Sequence, residues 1–126
     1  MPRTRVHNFS ISLDGFATGE GLSAEAPFGH AGHRLHEWMF ATRHWGTLGL
    51  TQLGEAPAGT AGVDNAFAER HGPGIGAEIM GAGKFGPPGW QDDPGWRGWW
   101  GENPPFHTPT LVLTHRPRPP LVMDGG

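Results

Sequence analysis

An α/β fold whose strands are joined by crossover connections is what this 126-residue sequence predicts. Three observations carry that expectation. Short apolar stretches of strand character recur near the start, middle and end of the chain. Two segments with helical spacing of apolar residues lie between the first and second of these, and a long glycine- and proline-rich stretch separates the second from the third.

Taken in order, the segment from Arg5 to Leu13 ends its odd positions in Phe9, Ile11 and Leu13, while Asn8, Ser10 and Ser12 fall on even ones. That alternation predicts a strand with one apolar face. Asp14-Gly15 supplies turn chemistry after it, and Gly19 to Gly32 reads as a Gly/Ala-rich loop. Between Arg34 and Trp45, Leu35, Trp38, Met39 and Thr42 share one helical face, which predicts a helix closed by Gly46. Thr60 to His71 predicts a second helix, with Thr60 as N-cap, Val63, Ala66 and Phe67 on one face, and Gly72-Pro73 as the stop. Leu48 to Gly59 is expected to be a loop. Ala77 to Met80 and Thr110 to Thr114 are the remaining strands, the latter ended by Pro117. Phe85 to Phe106, which holds Trp90, Trp96, Trp99 and Trp100, is expected to be irregular.

The length bounds the chain to one domain. With 22 glycines and 13 prolines it approaches the composition of disordered chains, and Leu, Ile, Val and Phe make up less than a fifth of it. Two features oppose disorder: a net charge of only −3, and six tryptophans with seven phenylalanines, each able to bury a large area. The expectation is an ordered, loop-rich domain of small stability margin.

Composition also excludes functions. Without cysteine there is no disulfide framework, thiolate metal site or cysteine nucleophile, and a cytoplasmic location is expected. No apolar stretch has the length of a membrane span, and Met1-Pro-Arg-Thr-Arg5 leads into no signal-like segment. Basic residues are scattered, so neither nucleic acid nor an anionic membrane is an expected partner.

Gly81-Ala-Gly-Lys-Phe-Gly86 matches the dinucleotide pattern G-x-G-x-x-G after a strand. That motif needs its glycines to open a helix, which Pro87-Pro88-Gly89 would stop within a turn. A phosphate loop fails because Glu78 stands where its first glycine belongs. His30, His33 and His36 invite a metal hypothesis, yet no carboxylate pair lies nearby, and Phe40 occupies the second histidine position of the helical zinc-protease pattern. These histidines are expected to be solvent-facing, with no metal. The tryptophans suit either stacking against a flat ligand or pinning a long loop to a core poor in aliphatics, and pinning is the expectation.

Five segments together carry a resemblance: Val6-His-Asn-Phe-Ser-Ile-Ser-Leu-Asp-Gly15, Gly59-Thr-Ala-Gly-Val-Asp-Asn-Ala-Phe67, Gly76-Ala-Glu-Ile-Met-Gly81, Phe85-Gly-Pro87, and Pro104-Pro-Phe-His-Thr-Pro-Thr-Leu-Val-Leu-Thr-His115. In order and spacing they resemble the dihydrofolate reductase-like superfamily. The closer likeness is to the C-terminal reductase domain of bifunctional riboflavin-biosynthesis deaminase-reductases and its stand-alone relatives. The resemblance implies a three-layer α/β/α fold with a central sheet, NADPH as cofactor and a small-molecule substrate.

It further implies that Ile11, Ser12, Asp14 and Gly15 face nicotinamide and substrate, that Gly81, Ala82, Gly83 and Lys84 meet the cofactor phosphates, and that Leu113, Thr114, His115 and Arg116 lie near the adenosine end. Asp14, the sole acidic residue among these positions, is the candidate to orient substrate or relay a proton. Family members commonly carry arginine directly after the glycine at Gly81; Ala82 stands here, with Lys84 two residues later. Relative to the family, residues 1–126 correspond to the N-terminal portion of the domain, C-terminally truncated, with 85–106 as an internal loop. The leading expectation is an NADPH-dependent reductase acting on a pteridine-like or ribosylamino-pyrimidine substrate. A non-catalytic truncated remnant or binding module, pairing with a second copy as a homodimer, is the alternative.

Overall fold

A computed structural model describes residues 1–6, 9–48 and 59–125. His7 and Asn8 of the expected first strand, the interior of the expected loop from Leu48 to Gly59, and Gly126 lie outside the described residues. The architecture is mixed α/β, with a small two-stranded parallel sheet and short helices. Two compact units divide it: Met1–Glu20 with Phe28–Pro73, and Gly21–Pro27 with Gly74–Gly126.

The first unit is helical. A 3-10 turn over Gly32–His36 runs into α1 (Glu37–Phe40), followed by α2 (Arg43–Thr47) and α3 (Val63–Glu69). The single helix expected from Arg34 to Trp45 is therefore broken, and the break has a polar cause. Thr42 adopts an extended conformation (φ −81°, ψ 151°) and forms an isolated parallel bridge with Thr60. Its hydroxyl donates to the Met39 carbonyl (2.6 Å) and accepts from the Trp45 amide (3.2 Å), so a β-branched side chain ends one helix and caps the next. Gly46 lies inside α2 rather than closing a helix, and Thr60 serves the bridge rather than capping α3, whose N-cap is Gly62.

The three leading amides of α2 all find partners. Arg43 donates to the Thr60 carbonyl (3.1 Å), His44 to the Asn65 side-chain oxygen (2.8 Å) and Trp45 to the Thr42 hydroxyl. Asn65 also donates to Glu69 one turn on (2.8 Å), which holds its side chain, and the His44–Asn65 bond between α2 and α3 fixes the rotation of α3. As a result Asn65 and Ala68 face inward, while Val63 and Phe67 of the expected apolar face are 73% and 50% exposed. A polar cap has outweighed the apolar pattern. Gly59 permits the bridge, because a Cβ there would meet the Arg43 Cα at 2.4 Å and its φ is +64°.

No strand forms at residues 9–13, which corrects the sequence expectation. Phe9, Ile11 and Leu13 are 72%, 56% and 112% exposed. Alternation supplies a face, but a strand also needs a neighbouring strand for its amides and carbonyls, and among the described residues no strand or bridge partner pairs with this segment.

In the second unit β1 (Glu78–Gly81) pairs in parallel with β2 (Thr110–Leu113), Gly81 opposite Leu113. The expected strands at 77–80 and 110–114 are thus present. Between them stand the single-turn helix α4 (Ala82–Phe85) and a 3-10 turn over Trp90–Asp92, the one regular turn in a stretch expected to have none. Met80 and Trp90 are buried apolar side chains of this unit, each 6% exposed, and Pro104 is buried with them in it. On the other side of the sheet Ile79, Leu111 and Leu113 are 55%, 56% and 65% exposed. Parallel strands are ordinarily covered on both faces, so an apolar surface left open here is expected to favour association with a second copy. Sedimentation velocity should show a concentration-dependent shift to larger species, reduced by Leu111→Glu; a monomer over the whole range contradicts it.

Candidate functional site

In the first unit, Ser12 to Phe16 form a closed turn. The Ser12 amide donates to the Phe16 carbonyl (2.8 Å), Gly15 donates back to the Ser12 carbonyl (3.0 Å), and Gly15 takes φ +90°. The Phe16 amide donates to the Ser12 hydroxyl (3.0 Å), which donates to the Asp14 carboxylate (2.5 Å). Asp14 is therefore held by Ser12 at an exposed position, a geometry suited to accepting a hydrogen bond from a small molecule. Ile11 sits beside this turn, exposed.

The remaining candidates lie in the second unit. Gly81, at the end of β1, is the N-cap of α4, so Ala82, Gly83 and Lys84 make the helical turn. Gly86 ends it in an extended conformation before Pro87 and Pro88, and the helix is one turn long, as the prolines dictate. A Cβ added at Gly81 or Gly83 meets no atom within 4 Å, so the backbone of this turn is open to a ligand. Lys84 is exposed and, among the described residues, makes no ion pair or side-chain hydrogen bond. An open glycine backbone beside a free ammonium fits a phosphate group. Because β1 and β2 are parallel with Gly81 opposite Leu113, the segments Gly81–Lys84 and Leu113–Arg116 leave neighbouring strand ends on the same edge. The carboxyl edge of parallel strands is where ligands bind in open α/β sheets.

At that edge Thr114 turns the chain, its hydroxyl accepting from the Arg116 amide (3.1 Å), and His115 is exposed. Arg116 is engaged within the protein. Its Nη1 donates to one Asp92 carboxylate oxygen at 3.1 Å and its Nη2 donates to the other. The Arg116 hydrogen bonds, reinforced by its charge, hold the Asp92 carboxyl below the usual aspartate range, and Asp92 raises the Arg116 guanidinium in turn. This pairing is fully present above the ordinary aspartate pKa and is lost as pH falls through the lowered value.

Beside the edge lies an open cleft of about 290 Å³ lined by Leu22, Ala82, Gly83, Pro87, Trp90 and Gln91, among others. The tryptophans of the 85–106 stretch pin the loop, as expected. The Trp90 indole donates to the Ala82 carbonyl (3.0 Å) and the Trp96 indole to the Phe85 carbonyl (3.1 Å). Phe85–Trp90, Trp96–Trp99 and Trp100–Phe106 pack edge to face. Gly86, the last glycine of the G-x-G-x-x-G pattern, serves this packing, since a Cβ there would meet the Trp96 Nε1 at 2.5 Å and the Trp90 Cγ at 2.8 Å.

Two residues escaped the sequence. Arg118 donates to the carbonyls of Trp90 (3.4 Å), Asp93 (3.1 Å), Pro94 (3.4 Å) and Trp96 (3.2 Å) while lying over the Trp90 ring. Asp92 is the partner of Arg116. The available signal was the charge match between Asp92-Asp93 and Arg116-Pro-Arg118.

Among the described residues no three histidine or acidic side chains are grouped to hold a metal ion. His33 is exposed, but His36 is half-buried between the Phe28 and Phe40 rings, at 4.8 and 6.1 Å, so it corrects the expectation of a solvent-facing histidine. Nor is any described helix long and apolar enough to cross a membrane. No family model, curated protein or solved structure matches the chain.

Proposed function

We propose that the chain is an NADPH-dependent reductase of the dihydrofolate reductase and riboflavin-biosynthesis reductase type, acting on a pteridine-like or ribosylamino-pyrimidine substrate. The observation that carries this reading is the parallel register of β1 and β2, which brings the glycine turn with Lys84 and the Leu113–Arg116 segment to one edge of the sheet. NADPH, when bound, supplies a hydride to an electron-poor carbon of a C=N or C=O group. The chain's own residues hold and orient: the open backbone of Gly81 to Gly83 and the Lys84 ammonium take phosphate oxygens, and His115 with Arg116 take the 2′-phosphate end. In the first unit, taken by itself, Asp14, fixed by Ser12, offers an exposed acceptor for a small-molecule hydrogen bond.

A binding module without turnover is the second reading. It is favoured by the cleft of about 290 Å³, at the small end of small-molecule sites. Following NADPH absorbance with pteridine-like and aminopyrimidine substrates separates the two: substrate-dependent loss of absorbance supports the reductase, and binding without oxidation supports the module. Lys84→Ala should weaken NADPH binding about tenfold, and more than Arg97→Ala, because Lys84 stands in the open turn. Arg97 is committed to Glu102 and to the Val122 carbonyl. Equal losses from the two substitutions reject the assignment of the phosphate turn.

A further inference from the structure

Arg116 is the one strong anion receptor that the second unit places just beyond the carboxyl end of β2, and it is already holding an anion. Both guanidinium branches bind the Asp92 carboxylate side by side, the fork geometry with which arginine binds a phosphate. Asp92 is brought there by the 3-10 turn Trp90–Asp92, whose position is fixed independently. Trp90 is buried with its indole bonded to Ala82, and Arg118 grips the carbonyls on either side of Asp92. The carboxylate is thus presented by a rigid turn, while the pair itself is solvent-accessible, its side chains 59% and 66% exposed. An exposed pair of this kind contributes little to stability and exchanges readily with a competing anion. Among the described residues, Lys84 stays free in the neighbouring turn, so an incoming phosphate meets one open cation and one guarded cation on the same edge.

We propose that Asp92 is a displaceable latch on Arg116, an internal competitor that sets the affinity of the β1–β2 edge for a phosphate monoester. The inference rests on the reading of that edge as a phosphate-binding edge. A ligand binds only when Arg116 is released, so its apparent dissociation constant is raised by the inverse of the unlatched fraction; a latch closed nine-tenths of the time weakens binding about tenfold. Asp92→Asn keeps the shape and removes the charge, leaving Arg116 available.

The test is titration at low ionic strength of the whole chain, Asp92→Asn, Arg116→Gln and the double variant, with adenosine 2′-phosphate and NADPH as the probes. Far- and near-UV circular dichroism confirms that each variant is folded. The expected result is that Asp92→Asn tightens adenosine 2′-phosphate five- to tenfold and that the gain disappears when Arg116→Gln is added, since the latch acts only through Arg116. Unchanged or weaker binding in Asp92→Asn overturns the latch, as does a gain that survives loss of Arg116, and so does failure of every protein to bind the monoester. If the monoester shows the Arg116-dependent gain while NADPH is not bound, the latch stands and the reductase reading fails. If NADPH binds and Asp92→Asn changes nothing, the reading stands and the latch fails.

Discussion

Trp90→Ala should unfold the second unit, with a loss of about 3–5 kcal/mol, the usual cost of deleting a buried aromatic side chain. That unit has few alternatives to its indole: Met80 and Pro104 are its other buried apolar residues, and Trp90 packs edge to face on Phe85 while lying beneath the Arg118 guanidinium. Its removal also strips the Ala82 carbonyl of the indole N–H and leaves Arg118 without its ring. Urea denaturation followed by circular dichroism should show a transition at much lower denaturant, or none. Trp90→Phe keeps a ring and loses chiefly the indole hydrogen bond and some packing, so it should cost less than half as much. If alanine and phenylalanine are equally mild, Trp90 is not the centre of this unit.

Thr42→Val carries the second largest effect, about 2 kcal/mol, from a change of nearly constant volume. Among the described residues Thr42 is fully buried, at 0% exposure, and its hydroxyl both receives the Trp45 amide and donates to the Met39 carbonyl. Valine suits the extended backbone at this position, so the loss isolates the hydroxyl rather than the conformation. Asn65→Ala should cost about 1 kcal/mol through the His44 amide. The two substitutions act on one helix end, and their combined effect should be less than additive once α2 has frayed. A stability unchanged by Thr42→Val would show that the α1–α2 break is not held by this residue.

These residues show what was legible in the sequence. Thr110–Leu113 is readable because three adjacent apolar residues of strand character, ended by a proline, describe a short strand locally. The pinning role of the tryptophans was readable as well, because so few aliphatic residues remain to do that work. The break at Thr42 was not, since it depends on Thr60 and Asn65, which are distant in sequence and polar. The apolar spacing of Val63, Ala66 and Phe67 pointed to the wrong face of α3 for the same reason. In the candidate site the resemblance assigns the glycine turn and the Leu113–Arg116 segment to one cofactor, but nothing in the spacing sets them side by side. Their adjacency follows from the parallel register, and the pairing of Arg116 with Asp92 from a loop fold that Arg118 and the indoles determine. Spacing along a chain records local preference, whereas these contacts are settled by which polar groups find partners across it.

The central claim, that the β1–β2 edge binds a 2′-phosphorylated dinucleotide, is tested most directly by parallel calorimetric titrations of the whole chain with NADPH and NADH at low ionic strength. The account predicts that NADPH binds about tenfold tighter, because only it carries the phosphate that His115 and Arg116 meet, and that the preference shrinks as salt rises. Equal dissociation constants for the two dinucleotides, or binding of neither, would contradict it.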